Sequence, residues 1–447
     1  MRKRQLVIAS LTVLVVAAAG IAAWAALRAR EQPEWTTDSP AALAEMRRGM
    51  DAFQKYYWQE ASGHFEKALE LDPQFAMATR MLIRTSDDKK SREELRQRLA
   101  AADRSRLSPR EAFLVEHTLA QTGEGAPEKA DKIVEDYLRR HPRDPYALAA
   151  WADLCWSARR WDDAESTFQK LLEIDPNWVD AQNKMGYLSM ALGRFAQAED
   201  RFRTYRFVAP DQANPHDSLG ELLVLTGRFD EAQRELEAAL RIRPDFCGSY
   251  FNLVEVARFS GHPERFGPLL ARMEKNGCEL ERIASIRCLV DVWQRYLARD
   301  WKKLAAIFHE PCIQEHRTGA VLPHLAAVLD GNLALAREIE AFEAKQRSRY
   351  VTRDNPVLPH EAAIRKVAEG DLPGALRDFA KTDAEMQYRG LNDGIFKMYN
   401  RLQWAHALEA SGDQAGAERL VREVAAVNQA MANRYVGLPA PQPPARR

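Results

Sequence analysis

The middle of the chain is built on a period of 34 residues, which constrains the fold more than any other feature. Prolines recur at this interval, and so do small residues, alanines and bulky apolar residues. The four sets are Pro142, Pro176, Pro210 and Pro244; Thr118, Ala152, Gly186 and Gly220; Ala130, Ala164, Ala198 and Ala232; and Val134, Phe168, Phe202 and Leu236. A fixed period of this length predicts stacked helical hairpins, none of which can bury its apolar face alone.

Each recurring residue type has a physical role in such a hairpin. The small residue on the first helix and the alanine on the second lie where two helices cross closely. The bulky residue four positions after that alanine is one helical turn further on and fills the gap toward the next unit. The proline ends the second helix, because it has no N–H and its φ angle is fixed.

This pattern resembles the tetratricopeptide repeat (TPR) family, most clearly from Asp144 to Pro244. The resemblance implies an all-α fold, a right-handed superhelical solenoid of helix–turn–helix hairpins. We expect a TPR array over residues 41–280, with the best repeats at 111–246, and degenerate TPR-like hairpins over 281–435. Two short stretches, 68–73 and 108–112, also resemble the repeat regions of bacterial sensor serine/threonine kinases, although no kinase domain is present.

The N-terminus predicts a membrane anchor. Leu6 to Leu27 form a run of 22 residues without a charge, and a helix of about 20 apolar residues spans a bilayer. A cleaved signal peptide is the alternative for residues 1–30. The basic residues Arg2, Lys3 and Arg4 favour a cytoplasmic N-terminus, with the bulk on the other side. We therefore expect a single-pass protein of a bacterial inner membrane whose repeats are periplasmic.

The segments outside the repeats are predicted from local signals. Residues 31–40 form a linker, after which Ser39 caps a helix that has Pro40 at its first position. Residues 74–108 make a degenerate hairpin, with helices near 75–84 and 91–102. Residues 436–447, rich in proline, are expected to be a disordered tail.

Charge and cysteine content narrow the classes of function. The formal net charge is +0, so there is no basic excess for binding the phosphates of nucleic acid. Five cysteines are scattered along the chain without a Cys-x-x-Cys pair, which is not a disulfide framework. One bridge, between Cys278 and Cys288, is conceivable in an oxidising compartment.

The sequence carries no strong signature of an enzyme. It lacks a glycine-rich phosphate loop, a His-Glu-x-x-His motif and a Gly-x-Ser-x-Gly motif. The densest polar cluster contains His309, Cys312 and His316, which could share one helical face and bind a metal. A hairpin turn with solvated polar residues is the favoured interpretation, so we expect no catalytic residue, cofactor or metal.

The candidate site is a peptide-binding groove. In the TPR family, the second, fifth, ninth and twelfth positions of each first helix line a concave ligand surface. Counting on this chain from residues 145, 179, 213 and 247 places aromatic side chains beside carboxylates on that surface. The predicted groove consists of Asp153, Trp156, Asn183, Tyr187, Asp217, Glu221, Phe251, Glu255 and Arg258. Such a surface suits an extended or helical peptide with basic and apolar side chains.

Taken together, the sequence predicts a membrane-anchored scaffold that binds a protein or peptide partner and catalyses no reaction. A regulatory or sensor module related to the kinase-linked repeats, with a small-ligand pocket, is the alternative, as is an envelope assembly factor. The sequence does not identify the partner or the oligomeric state.

Overall fold

A computed structural model of the chain describes residues 34–86, 88–123, 126–316, 320–347, 357–433 and 437–444. Within these ranges all regular structure is helical and no β-strand occurs, which confirms the all-α class. Contacts divide the chain into two compact units, the first ending at Pro142 and the second beginning at Arg143. The predicted membrane segment within residues 1–30 lies outside the described residues. Among the helices that are described, none is both long and apolar enough to cross a membrane.

The first unit consists of three helical hairpins. Its helices are α1 (Pro40–Gln54), α2 (Trp58–Leu71), α3 (Ala76–Thr85), α4 (Lys89–Ala100), α5 (Pro109–Thr122) and α6 (Ala126–Arg140), with a 3-10 turn at Arg104–Arg106. The predicted cap of the first helix is confirmed, because the Ser39 hydroxyl accepts the N–H of Ala42 at 3.1 Å. Helix α5 begins with a capping box in which Ser108 and Glu111 satisfy each other's backbone N–H.

The second unit begins with the regular repeats. Its first helices are α7 (Pro145–Ser157), α8 (Trp161–Ile174), α9 (Val179–Ala191), α10 (Phe195–Val208), α11 (Ala213–Leu225), α12 (Phe229–Ile242) and α13 (Cys247–Ser260). Neighbouring helices contact each other in sequence order. The turn of the second hairpin contains Gly193 and that of the third Gly227, both with positive φ, a backbone conformation that glycine adopts without a steric penalty. These helices form the TPR-like helical repeat, while its right-handed superhelical sense stays a prediction.

The remainder of the second unit is also helical. After a 3-10 turn at Pro263–Arg265 come α14 (Phe266–Lys275), α15 (Leu280–Leu297), α16 (Trp301–Ala306), a 3-10 turn at Ile307–His309, α17 (Pro311–His316), α18 (Val321–Leu329), α19 (Leu333–Arg347), α20 (Val357–Glu369), α21 (Leu372–Glu385), α22 (Leu391–Ser411), α23 (Gln414–Val427) and α24 (Gln429–Ala432). Helix α22, with 21 residues, is longer than any helix of the regular repeats and positions much of the candidate site.

The pairing of small and bulky residues explains how each hairpin closes. A Cβ atom added to Gly186 would lie 2.4 Å from a ring carbon of Phe202, and one added to Gly220 would lie 2.7 Å from Leu236. These approaches are too close for any larger side chain, so the helices can cross at this distance only over glycine or a comparably small residue. The close crossing predicted at the small residues is confirmed, whereas the bulky residues Phe202 and Leu236 fill the crossing of their own hairpin rather than only the gap toward the next unit.

The C-terminal hairpins share a core with the repeats. Leu222 and Leu225 of α11 belong to the same buried cluster as Leu391 and Leu402 of α22. Gly394 of α22 lies so close to Leu225 that an added Cβ would be 2.4 Å from its methyl carbon. The domain boundary expected at residue 280 is therefore not a boundary of packing, because apolar side chains from both sides of it are buried together.

The tail expected to be disordered is ordered over residues 437–444. Arg299 donates to the carbonyl of Gly437 at 3.1 Å, and the side-chain amide of Gln403 donates to the carbonyl of Pro439 at 2.7 Å. Pro441 is buried. The expectation from composition does not hold over these residues, because Pro441 is buried and two carbonyls of the tail accept hydrogen bonds from side-chain donors.

Two disulfides link the helices that follow the regular repeats. Cys247 is bonded to Cys278 and Cys288 to Cys312, with Cα–Cα distances of 5.8 and 5.5 Å. The bridge considered between Cys278 and Cys288 is therefore wrong. Cys288 lies more than two turns inside α15, about 12 Å along its axis from Leu280, which puts it beyond the reach of a cysteine just before that helix.

Candidate functional site

The first two predicted groove residues, Asp153 and Trp156, lie on α7 and are partly exposed. Asp153 on α7 accepts a hydrogen bond from the Lys184 ammonium at 2.6 Å, and its side chain is 39% exposed. Lys184 also pairs with Asp180 at 2.9 Å. Burial alone would lower the Lys184 pKa, but the two carboxylates outweigh burial and raise that pKa above its usual value. Trp156, one turn further along α7, is half-buried and meets the ring of Trp161 edge-on at 5.4 Å.

In the next two repeats the corresponding surface is less exposed: Asp217 is buried, and Tyr187 and Glu221 are half-buried. The Tyr187 hydroxyl donates to Glu221 at 2.6 Å, while Ser249 and Asn252 donate to Asp217 at 2.7 and 3.2 Å. Burial raises the pKa of Asp217 to about 7, with the neighbouring charge of Glu221 adding to the rise and the two hydrogen bonds opposing it. Burial also raises the pKa of Glu221. Such carboxyl groups take up a proton more readily than solvated ones.

The chain itself covers this surface. The backbone N–H of Leu391, the first residue of α22, donates to Glu221 at 2.6 Å. Just before it, Tyr388 packs edge-on against Phe195 of α10 at 5.1 Å. Further along the chain, after α23, the Asn428 side chain donates to the carbonyl of Leu225 at 3.1 Å. Residues 388–391, at the start of α22, thus contact α10 and α11 as a bound segment of polypeptide would.

The groove residues at the far end of the repeats line a cavity. Glu255 and Arg258 form an ion pair and are 2% and 7% exposed at their side chains. The Arg258 guanidinium lies over the rings of Phe259 and Trp293, at 3.9 and 3.8 Å from the ring centres, a favourable cation–π geometry. Beside this pair is a cavity of about 770 Å³ between α13, α15, α18 and α22.

Aromatic side chains dominate the wall of this space, which we call the aromatic cavity. They are Phe259, Trp293, Tyr296, Phe396 and Tyr399. Aliphatic residues, the charged side chains of Glu255, Arg258 and Arg299, and the neutral polar groups of Asn392 and Asn433 complete the wall. A space of this volume with few polar groups is typical of ligand sites in proteins.

The structure therefore divides the nine predicted residues into three groups. Asp153 and Trp156 remain partly open, and Asn183 is buried within α9. Tyr187, Asp217 and Glu221 are the polar cluster covered by the chain's own segment. At the far end, Phe251 packs against the core, while Glu255 and Arg258 line the aromatic cavity. Peptide binding at these residues stays a prediction.

Sequence reasoning did not find the aromatic cavity. Trp293 and Tyr296 are three residues apart in the chain, which puts both on one face of α15, and that spacing was the available signal. Nothing local indicates that Tyr399, about a hundred residues later, lies opposite them. The wall depends on the packing of α22 against the repeats.

Two members of the possible metal cluster, Cys312 and His309, make other contacts. Cys312 is bonded to Cys288, so its sulfur is not a thiolate ligand, and His309 lies 4.0 Å from Glu338. In the part of the chain that is described, no group of three or more His, Cys, Asp or Glu residues is placed to hold a metal ion.

These features define a class of protein: a helical-repeat scaffold with TPR-like hairpins. The model of the family described as "Tetratricopeptide repeat" matches residues 215–246, which comprise most of the α11–α12 hairpin. Among the curated proteins no match was found.

Several solved structures are similar to the chain at low identity. The APC/C hetero-tetramer Cut9-Hcn1 matches with 15% identity over 89% of this chain and 75% of that one, at a TM-score of 0.46. Yeast Tom70 matches with 15% identity over 74% and 70%, at 0.39. A tetratricopeptide repeat protein from Parabacteroides merdae ATCC 43184 matches with 15% identity over 62% and 97%, at 0.37.

Proposed function

We propose that this protein is a TPR scaffold that binds a polypeptide partner in a bacterial cell envelope, anchored by its apolar N-terminal segment. One observation carries the proposal: α10 and α11 already hold a short stretch of polypeptide, residues 388–391. Glu221 accepts the backbone N–H of Leu391, and Phe195 receives the ring of Tyr388. A surface that binds its own backbone and aromatic side chains has the chemistry needed to bind those of a partner.

The open beginning of the repeats is where this partner binds. Asp153 and Trp156 are accessible on α7, whereas the next two repeats are covered by the segment before α22. An anionic group beside an indole ring favours a partner with a basic and an apolar side chain, because the carboxylate attracts the cation and the ring buries the apolar group.

Photo-crosslinking from α7 tests this assignment. A photoreactive phenylalanine analogue at Trp156 should crosslink to one discrete partner in native cells, because that side chain faces the binding surface. The matched control is the same analogue at Asp162, an exposed position on α8. Adding Asp153→Lys should reduce the crosslink several-fold. Equal crosslinking from both positions, or none from either, would contradict the proposal.

The two disulfides support the extracytoplasmic placement. Disulfides persist in oxidising compartments such as the bacterial periplasm and are rare in the cytosol. Closing loops of 31 and 24 residues stabilises the fold by about 3–4 kcal/mol each in the chain-entropy account. Because the two bridges take up four of the five cysteines, protein denatured without reductant should react with one maleimide, and reduced protein with five. Five without reduction would place the repeats in the cytosol, as would an inactive C-terminal phosphatase fusion.

A sensor that binds a small molecule is the second candidate, and the aromatic cavity favours it. Its volume of about 770 Å³ lies within the range of sites for drug-sized ligands. A metabolite screen should then reveal a compound that raises the melting temperature of the protein, since a ligand stabilises the state it binds. Trp293→Ala should abolish that rise. A screen without any stabilising compound would remove the sensor from consideration.

A further inference from the structure

We propose that the aromatic cavity and the surface beside it, which carries Arg299 and Gln403, recognise proline-rich polypeptide segments. The chain's own tail, residues 437–444, is bound to that surface in this structure. This inference rests on the proposed function in that it takes the partner to be a polypeptide. It adds the chemical class of that polypeptide and a second place where it binds.

The tail runs from the cavity across the neighbouring helices. Gly437, Leu438 and Pro439 form part of the cavity wall, and Leu438 packs against the buried core. Pro441 is buried. At the far end, Pro444 lies 3.4 Å from the position that a Cβ on Gly370 would occupy, so the contact extends as far as the turn between α20 and α21.

The contacts made by the tail are those that a proline-rich segment can make. Proline has no N–H to donate and forms no regular internal hydrogen bonds in its extended helix, which leaves carbonyl oxygens and ring faces for recognition. The protein supplies side-chain donors to two tail carbonyls, from Arg299 at 3.1 Å and from Gln403 at 2.7 Å. Next to them stand the cavity's aromatic rings. Known proline-rich ligands dock on aromatic-lined grooves in this manner.

The donors are themselves held in place. Gln403 also donates to the Tyr399 hydroxyl at 3.2 Å, and its side chain is buried in the wall of α22. Tyr296 meets Trp293 edge-on at 5.3 Å. Because these groups are ordered by packing, a segment that binds them does not have to order them first.

The tail leaves room for a better ligand. A cavity of about 770 Å³ remains with residues 437–439 in place, and Leu438 is the tail's one large apolar side chain. A partner segment with an aromatic residue at that position would fill more of the space and bury more apolar surface. The tethered tail competes at an effective concentration of about millimolar, so its release should increase the affinity for a partner.

Peptide binding to full-length and tail-free protein tests the proposal. The probes are two fluorescein-labelled peptides, Gly-Leu-Pro-Ala-Pro-Gln-Pro-Pro, which repeats residues 437–444, and the version with phenylalanine in place of leucine. Fluorescence anisotropy in detergent micelles should show that protein ending at residue 436 binds both, the phenylalanine version more tightly. Full-length protein should bind each at least tenfold more weakly. Leu438→Asp, which keeps the length of the chain, should behave like the tail-free protein.

Matched variants separate recognition from nonspecific adhesion. In tail-free protein, Tyr296→Ala should weaken binding about tenfold, whereas Tyr146→Ala, at a half-buried tyrosine on α7, should leave it unchanged. A peptide with alanine at every proline should not bind. The inference is wrong if the tail-free protein and Leu438→Asp both keep native circular dichroism but bind neither proline-containing peptide. It is equally wrong if these variants bind only a small apolar dye. Persistent crosslinks from position 156 would then leave the proposed function intact.

Discussion

Asp153 and Glu221 occupy the same position in repeats two periods apart, yet their surroundings differ completely. Asp153 on α7 is partly exposed and paired with Lys184 across the surface. Glu221 on α11 is half-buried, and it accepts hydrogen bonds from Tyr187 and from the backbone of Leu391. The helices that carry the two residues are of equal length and lie in equivalent hairpins.

The difference comes from a segment far away in the chain. Helix α22 begins 170 residues after Glu221 and covers α11. A repeat determines where a side chain stands on its own hairpin, whereas the neighbours of the whole array determine its dielectric surroundings and hence its chemistry. The function of a groove position is therefore a property of the complete second unit.

The largest expected effect comes from reversing the charge of Glu221. Glu221→Lys should lower the free energy of unfolding by about 3–5 kcal/mol, because the new ammonium group would face two hydrogen-bond donors that lose their acceptor. Urea unfolding followed by circular dichroism measures the loss. Asp153→Lys, at the equivalent open position, should change stability by no more than about 1 kcal/mol.

A conservative variant gives a sharper comparison at the same site. Glu221→Gln keeps an oxygen for the Leu391 N–H and should cost far less than the lysine. If Glu221→Lys and Asp153→Lys destabilised the protein equally, α22 would not cover α11 in solution, and the contrast between the two repeats would disappear.

The contrast also marks what the sequence predicts and what it does not. The period identified the hairpins and the close crossing at Gly186, and a local signal identified the cap at Ser39, because each depends on residues within about one repeat. The cover over Glu221 depends on Leu391, which no periodic signal relates to α11. Long-range contacts of this kind are outside the reach of pattern analysis on a single sequence.

The disulfides and the contacts of the tail are further features that the sequence pattern does not predict. Cys247 and Cys278 lie at the two ends of one hairpin, but spacing alone does not select them among five cysteines. The tail has the composition of a disordered segment, and it is ordered by Arg299 and Gln403, which are remote in sequence. In both cases the deciding partner follows from the packing of the second unit.

The second expected effect is a pH dependence specific to Asp217. Its pKa is about 7 in the folded protein, against 3.8 as the ordinary value. A carboxyl group with a raised folded pKa contributes stability below its unfolded pKa, and that contribution is lost as the pH rises through the folded pKa. Between pH 5 and pH 7 the loss amounts to about 2 kcal/mol.

The variant Asp217→Asn isolates the pH-dependent contribution of Asp217 to stability. The amide oxygen can still accept from Ser249 and Asn252, but the group no longer ionises. The stability of the variant relative to the native protein should therefore increase by about 2 kcal/mol from pH 5 to pH 7, as measured by urea unfolding at each pH. Asp153→Asn, at the partly exposed carboxylate, serves as the control and should show no comparable trend. Parallel stability curves for Asp217→Asn and the native protein would show that Asp217 is solvated.

The smallest expected effect concerns the close helix crossing that two successive repeats share. Gly186→Ala should lower the free energy of unfolding by about 1–2 kcal/mol, since the new Cβ would lie 2.4 Å from the Phe202 ring and overpacking outweighs the gain in helix propensity. Gly220→Ala, beneath α22, should cost a similar amount because the crossing is local to each hairpin. Gly267→Ala, where an added Cβ meets nothing within 4 Å, should be neutral or slightly stabilising. A much larger cost at Gly220 than at Gly186 would mean that the cover formed by α22 also fixes the geometry of the hairpin beneath it.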